Sequence, residues 1–104
     1  MKSLTVALAL AAGATIVAAP ASADEAMLKK YNCTACHAID KKVVGPAYKD
    51  VAKKYAGNAG AAKMLEAKVK KGGSGTWGQI PMPPNPQVPD ADLTALIKYI
   101  LSLK

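Results

Sequence analysis

Cys33-Thr34-Ala35-Cys36-His37 constrains this chain more than any other segment. Two cysteines separated by two residues and followed at once by histidine form the attachment sequence for c-type haem. The spacing has a physical basis. Two intervening residues let both thiols reach the vinyl groups along one edge of a porphyrin and close thioethers there. The next residue then turns under the ring, where its imidazole nitrogen can bind the iron. The chain has 2 cysteines and 1 histidine in all. A single imidazole is therefore available to an iron, and no thiol is left for a disulfide or another cofactor.

Two other chemistries use paired cysteines. A thioredoxin-like redox pair sits at a helix start within a βαβ pattern, and no strand–helix alternation runs through this sequence. A closed zinc site needs four ligands, and two cysteines with one histidine fall short of it.

The N-terminus supports the haem reading. Met1-Lys2-Ser3 is a short basic start, Leu4 to Val17 is an apolar run, and Ala21-Ser22-Ala23 fits the small-X-small cleavage pattern. This is the grammar of a secretory signal peptide. The apolar run is too short for a membrane span and no stop-transfer charges follow it. The expected organisation is a cleaved signal over residues 1–23 and one domain over 24–104, in the periplasm and without a membrane span after cleavage. Covalent haem attachment takes place outside the cytoplasmic membrane, so the two signals agree.

A domain as short as 24–104 rarely builds a sufficient core without a staple. A covalently held porphyrin would supply one, as an apolar disc for helices to pack around. The formal net charge of +7 becomes +6 once Lys2 leaves, and two haem propionates would bring it to about +4 to +5. Every cation is lysine. Nucleic-acid recognition favours arginine forks and interleaved aromatics, so nucleic acid is excluded as a partner. Lysines of this kind serve solvation and the loose steering of acidic proteins.

Helical spacing recurs after the signal. Asp24 and Glu25 place negative charge at a helix start, and Met27, Leu28 and Tyr31 mark one face. Tyr48, Val51, Ala52 and Tyr55 mark a second helix, ended at Gly57. Ala61, Ala62, Leu65 and Val69 mark a third, with Lys70-Lys71 as a cationic last turn and Gly72-Gly73 as the stop. Pro81, Pro83, Pro84, Pro86 and Pro89 exclude a helix interior or a central strand up to residue 89. Asp90 is the expected N-cap of a last helix whose apolar stripe is Leu93, Leu96, Ile97, Ile100 and Leu101. The fold class is all-α: four or so short helices around one covalent haem, with one long rigid loop.

A haem bound by His37 alone would keep its sixth position open. The candidates to fill it are Met27, Met64, Met82 and the lysines. Met82 stands out because Pro81, Pro83 and Pro84 fix the backbone around it and lower the entropy lost on ordering it. A thioether is soft and neutral, and with histidine it makes the pair expected of an electron carrier. Met27 and Met64 fall on predicted helix faces and read as core packing.

With these residues in view, the chain resembles the short bacterial class I monohaem cytochromes c of the c-551/c-552 type, the cytochrome c8 family. The resemblance runs over the whole of 24–104. It rests on the haem motif, Val44-Gly45-Pro46-Ala47-Tyr48, Gly72 to Gly78 with Trp77, Ile80-Pro81-Met82-Pro83-Pro84-Asn85, and the terminal amphipathic helix, in that order. It implies that Pro46 offers its carbonyl to the His37 ring N–H, that Trp77 sends its indole N–H to a haem propionate, and that Asn85 hydrogen-bonds near the methionine ligand. It also implies that the first and last helices cross, with Leu28 and Leu96 in contact. Leu28 and Tyr99 stand where relatives often carry Phe and Trp.

The function expected on this reading is one-electron transfer by a monomeric periplasmic carrier, not enzymatic catalysis. Cys33 and Cys36 hold haem c, and His37 and Met82 hold its iron. Lys29, Lys41 or Lys42 near the haem edge would steer partners such as a nitrite reductase, a terminal oxidase, a peroxidase or a bc1-type donor. The competing class is a haem subunit of a larger complex, or a small peroxidase or gas sensor with an open iron. The last two would need a distal acid–base group, and the chain has no arginine and no second histidine to supply one.

Overall fold

The computed structural model describes residues 23–104. The expected signal segment, Ala23 apart, lies outside the described residues. Four α-helices follow one another: α1 (Glu25–Lys30), α2 (Tyr48–Lys54), α3 (Ala61–Lys71) and α4 (Asp90–Leu101), with a short 3-10 turn at Cys33–Ala35 after α1. The all-α reading holds for the described residues, where the two β-type contacts are isolated pairs, His37 with Lys42 and Gly73 with Met82. Among the described residues no helix is long and apolar enough to cross a membrane.

Each helix has a local cause. The Asp24 carboxylate accepts from the Met27 amide at 3.2 Å and caps α1. Glu25 lies in its first turn and Lys29 and Lys30 in its last, matching the helix dipole. Helix α2 has no side-chain cap. Its entry is fixed instead by the Tyr48 and Lys49 amides, which donate to the carbonyls of Ala38 and Ile39 at 2.9 and 3.0 Å. Helix α3 ends at Gly72, whose φ of +73° is easy only for glycine.

The core forms where α4 packs against α2 and α3. Leu93, Leu96, Ile97 and Ile100 present one buried stripe, met by Val51 from α2 and Leu28 from α1. Leu28 is 1% exposed, and burying such a side chain contributes about 1.5–3 kcal/mol. An isolated helix as short as α1 is marginal in water, so this packing holds it in place. The Tyr31 hydroxyl adds a hydrogen bond to the Asp92 carboxylate, tying the end of α1 to the start of α4. The first and last helices thus contribute Leu28 and Leu96 to one core cluster.

Three expectations need correction. Met64 is 44% exposed and does not pack in the core, because only one side of α3 meets α4 and Leu65 takes it. Asp90 is the first residue of α4 and not its cap. Pro89, with φ −61° and ψ 146°, occupies the cap position, and the Asp90 carboxylate turns to Lys70 Nζ at 3.0 Å. Helix α2 closes at Lys54, with Tyr55 as its capping residue, before Gly57 is reached.

Candidate functional site

The haem motif lies on a tight turn. Asn32, at φ +60°, swings the chain out of α1, a left-handed conformation that asparagine tolerates better than most residues. The Cys33 carbonyl then accepts from the amides of Cys36 and His37, at 3.2 and 3.0 Å. These bonds gather Cys33, Cys36 and His37 on the wall of one cleft.

His37 is held on several sides. Its Nδ1 lies 2.8 Å from the Pro46 carbonyl oxygen. Nδ1–H donates there, so Nε2 is left as the ring nitrogen with a free lone pair. Tyr48 stacks on the imidazole with centroids 4.9 Å apart and planes 22° apart. Gly45 lies against the same ring, and a Cβ placed on it would stand 2.9 Å from Nδ1 and 3.0 Å from Nε2. The Gly45 amide in turn donates to the Cys36 carbonyl at 2.7 Å. The Cys33 thiol is half-buried, and that burial pushes its pKa up from the ordinary 9.0. Burial likewise raises the Tyr48 phenol well above the tyrosine range.

The opposite wall is the loop after α3. Gly73 and Met82 exchange backbone hydrogen bonds of 3.0 and 2.8 Å, which sets the Met82 segment across the cleft mouth. Met82 lines the cleft, whereas Met27 and Met64 do not. Trp77 also lines it and is 40% exposed. Lys54 Nζ stands 5.6 Å from the Trp77 ring centroid, within reach of a cation–π contact. Asn85 is outside the lining. Its side-chain amide donates to the Pro83 carbonyl at 2.9 Å, and its backbone amide donates to Val69 at 2.9 Å. It braces the segment beside Met82.

The cleft floor is apolar, built from Leu28, Val51, Leu93 and Ile97 among others, and its empty volume is about 1420 Å3 including the open mouth. Two thiols, one imidazole and one thioether therefore edge a large apolar slot. Among the described residues no group of three or more His, Cys, Asp or Glu is arranged to hold a bare metal ion.

Comparison with known proteins agrees with this architecture. The family model described as Cytochrome c matches residues 10–104. This chain belongs to the cytochrome c family. Cytochrome c-552 of Nitrosomonas europaea is 57% identical over 94 residues, covering 90% of this chain and 91% of that protein. Cytochrome c-551 of Pseudomonas aeruginosa is 52% identical over 99 residues, covering 93% and 94%. The crystal structure of wild-type Nitrosomonas europaea cytochrome c552 superposes with a TM-score of 0.75 at 58% identity, covering 78% of this chain and all of that one.

The protein is thus a class I monohaem cytochrome c, a small haem c electron carrier of the kind that works with redox partner proteins. Its two cysteines fit a single covalently attached haem c. The cleft fits that group in chemistry, since its lining is mostly apolar and also includes Cys33, Cys36, His37 and Met82. Gly45 and Tyr48 belong to a motif already singled out in the sequence, but their roles against His37, and the place of Lys68, emerge only from the fold. Nothing in the sequence marked Tyr48 as the partner of the His37 ring, Gly45 as the residue whose missing side chain lets that ring sit, or Lys68 as part of the cleft wall.

Proposed function

We propose that this cytochrome c is a periplasmic one-electron carrier whose haem is attached through Cys33 and Cys36 and whose iron is ligated by His37 and Met82. The observation that carries the reading is that Met82 lines the cleft edged by His37, while Met27 and Met64 lie outside it. The haem supplies the redox chemistry, its iron gaining or losing one electron. Pro46 fixes the His37 tautomer and so presents Nε2 to the metal. The Gly73–Met82 pair and the prolines around Met82 fix the backbone that carries the thioether, which would keep the ligand set alike in both oxidation states. Trp77, at the mouth of the cleft, is suited to donate its indole N–H to a propionate.

Residues 1–23 act in this reading as a cleaved export signal that delivers a monomer to the periplasm. There the protein would shuttle electrons between a bc1-type donor and acceptors such as a nitrite reductase, a terminal oxidase or a peroxidase. Lys42 lines the cleft, and with Lys29 and Lys41 it would steer acidic partners to the haem edge.

The test is voltammetry of Met82→Ala. Loss of a neutral thioether lowers the potential, because that ligand favours ferrous iron. An unchanged potential and spectrum would remove Met82 from the ligand set.

A further inference from the structure

The loop that carries Met82 is anchored at several points to one place, the C-terminal end of α3. Gly73 pairs with Met82, and the Val69 carbonyl accepts from the Asn85 amide at 2.9 Å. The next anchor is a side chain. Lys70 Nζ donates to the Val88 carbonyl at 2.5 Å and stands 3.0 Å from an Asp90 carboxylate oxygen. Val88 is 1% exposed and sits within the core cluster, so its carbonyl has little access to water, and the Lys70 ammonium is the donor that serves it. Lys70 is itself partly shielded, with 28% of its side chain exposed. A charge-assisted hydrogen bond in such a place is stronger than one in open solvent.

The ion pair, whose Asp90 side chain is 94% exposed and which therefore adds less than the bond to Val88, also suits both helices. Lys70 is in the last turn of α3 and Asp90 in the first turn of α4, where a cation and an anion respectively complement the helix dipoles. The contact therefore closes the long loop at its base. Without it, residues 86 to 89 would be held to the end of α3 only through the Asn85–Val69 bond, and freedom gained there would load that bond and the Gly73–Met82 pair beyond it.

We propose that Lys70 is a positioning residue for Met82: by clamping the Val88 carbonyl and the Asp90 carboxylate to the end of α3, it holds the thioether in its ligating position. This rests on the reading that Met82 ligates the iron. The experiment uses the haem-loaded protein and its Lys70→Met, Lys70→Arg and Asp90→Asn variants. It follows the near-infrared sulfur-to-iron charge-transfer band of the ferric form against pH, carbon monoxide uptake by the ferrous form, and thermal unfolding by circular dichroism.

Lys70→Met should take up carbon monoxide about tenfold faster, the scale of one lost hydrogen bond to a charged group, and should lose the band at a lower pH than wild type. Lys70→Arg should restore both readouts, and Asp90→Asn, which keeps the bond to Val88, should fall between. Should Lys70→Met not fold, the graded response of the other two variants decides. Wild-type behaviour in Lys70→Met, or loosening that follows global unfolding and is not rescued by arginine, would overturn the clamp. A wild-type protein without the band would instead overturn the Met82 reading on which it rests.

Discussion

His37 presents its Nδ1 to the Pro46 carbonyl oxygen at 2.8 Å, and Gly45, the residue before that proline, lies so close to the same ring that a Cβ on it would stand 2.9 Å from that nitrogen. The imidazole is thus set by main chain, and the tautomer that frees Nε2 follows from a carbonyl that no side-chain substitution removes. A methyl group on Gly45 has no room, since it would lie 2.9 Å from Nδ1. Gly45→Ala must therefore displace the ring or the backbone beside it. The expected cost is about 1–3 kcal/mol, as for other overpacked sites, measured by guanidinium unfolding of the haem-loaded protein. Wild-type stability in this variant would show that the ring has slack.

The hydrogen bond from Tyr31 to Asp92 gives a pH dependence with a definite sign. Accepting that bond, the Asp92 carboxylate raises the Tyr31 pKa above the ordinary 10.0, with burial and the carboxylate's charge adding to the rise. The folded state then holds the proton to higher pH than the unfolded chain does. The stabilisation is complete below pH 10.0 and is lost as pH rises through the folded value. Unfolding curves of Tyr31→Phe against wild type at pH 8 to 11 (about the range that brackets a tyrosine) should converge as pH rises. A difference that is constant across that range would mean that the hydroxyl makes no such bond.

Steering by lysines predicts salt dependence. Exposed charges are screened over about 10 Å at 0.1 M ionic strength. Electron transfer to an acidic partner protein should slow as salt rises, and Lys42→Glu should slow it further at low salt. Stopped-flow rates that stay level from low to high salt would dismiss a steering role for these cations.

Much of this architecture was legible in the sequence because it depends on local rules. Leu93, Leu96, Ile97 and Ile100 repeat at three- and four-residue intervals, and they form the buried stripe of α4. Gly72 follows a lysine pair and ends α3 with a positive φ. The prolines from Pro81 to Pro89 kept helix out of the segment that became the cleft wall. What escaped the sequence depended on distant partners. Asp90 looks like a cap by composition, but Pro89 already supplies the extended backbone, and Lys70 from another helix claims the carboxylate. Met64 and Leu65 are neighbours in sequence with equal claims to burial, and the position of α4 leaves Met64 exposed. The site shows the same division. Cys33, Cys36 and His37 announce themselves by spacing, whereas the place of Gly45 and Tyr48 against His37 arises from the chain folding back after the motif.

We propose that His37 and Met82 both ligate the iron of this cytochrome c. The most direct measurement is the visible and near-infrared absorption of the haem-loaded protein, oxidised and reduced, with and without carbon monoxide. Ligation by both residues gives a c-type spectrum with a sulfur-to-iron charge-transfer band when oxidised, and a reduced spectrum that carbon monoxide leaves unchanged. Ready binding of carbon monoxide together with absence of that band would contradict it, and would point to an open iron site.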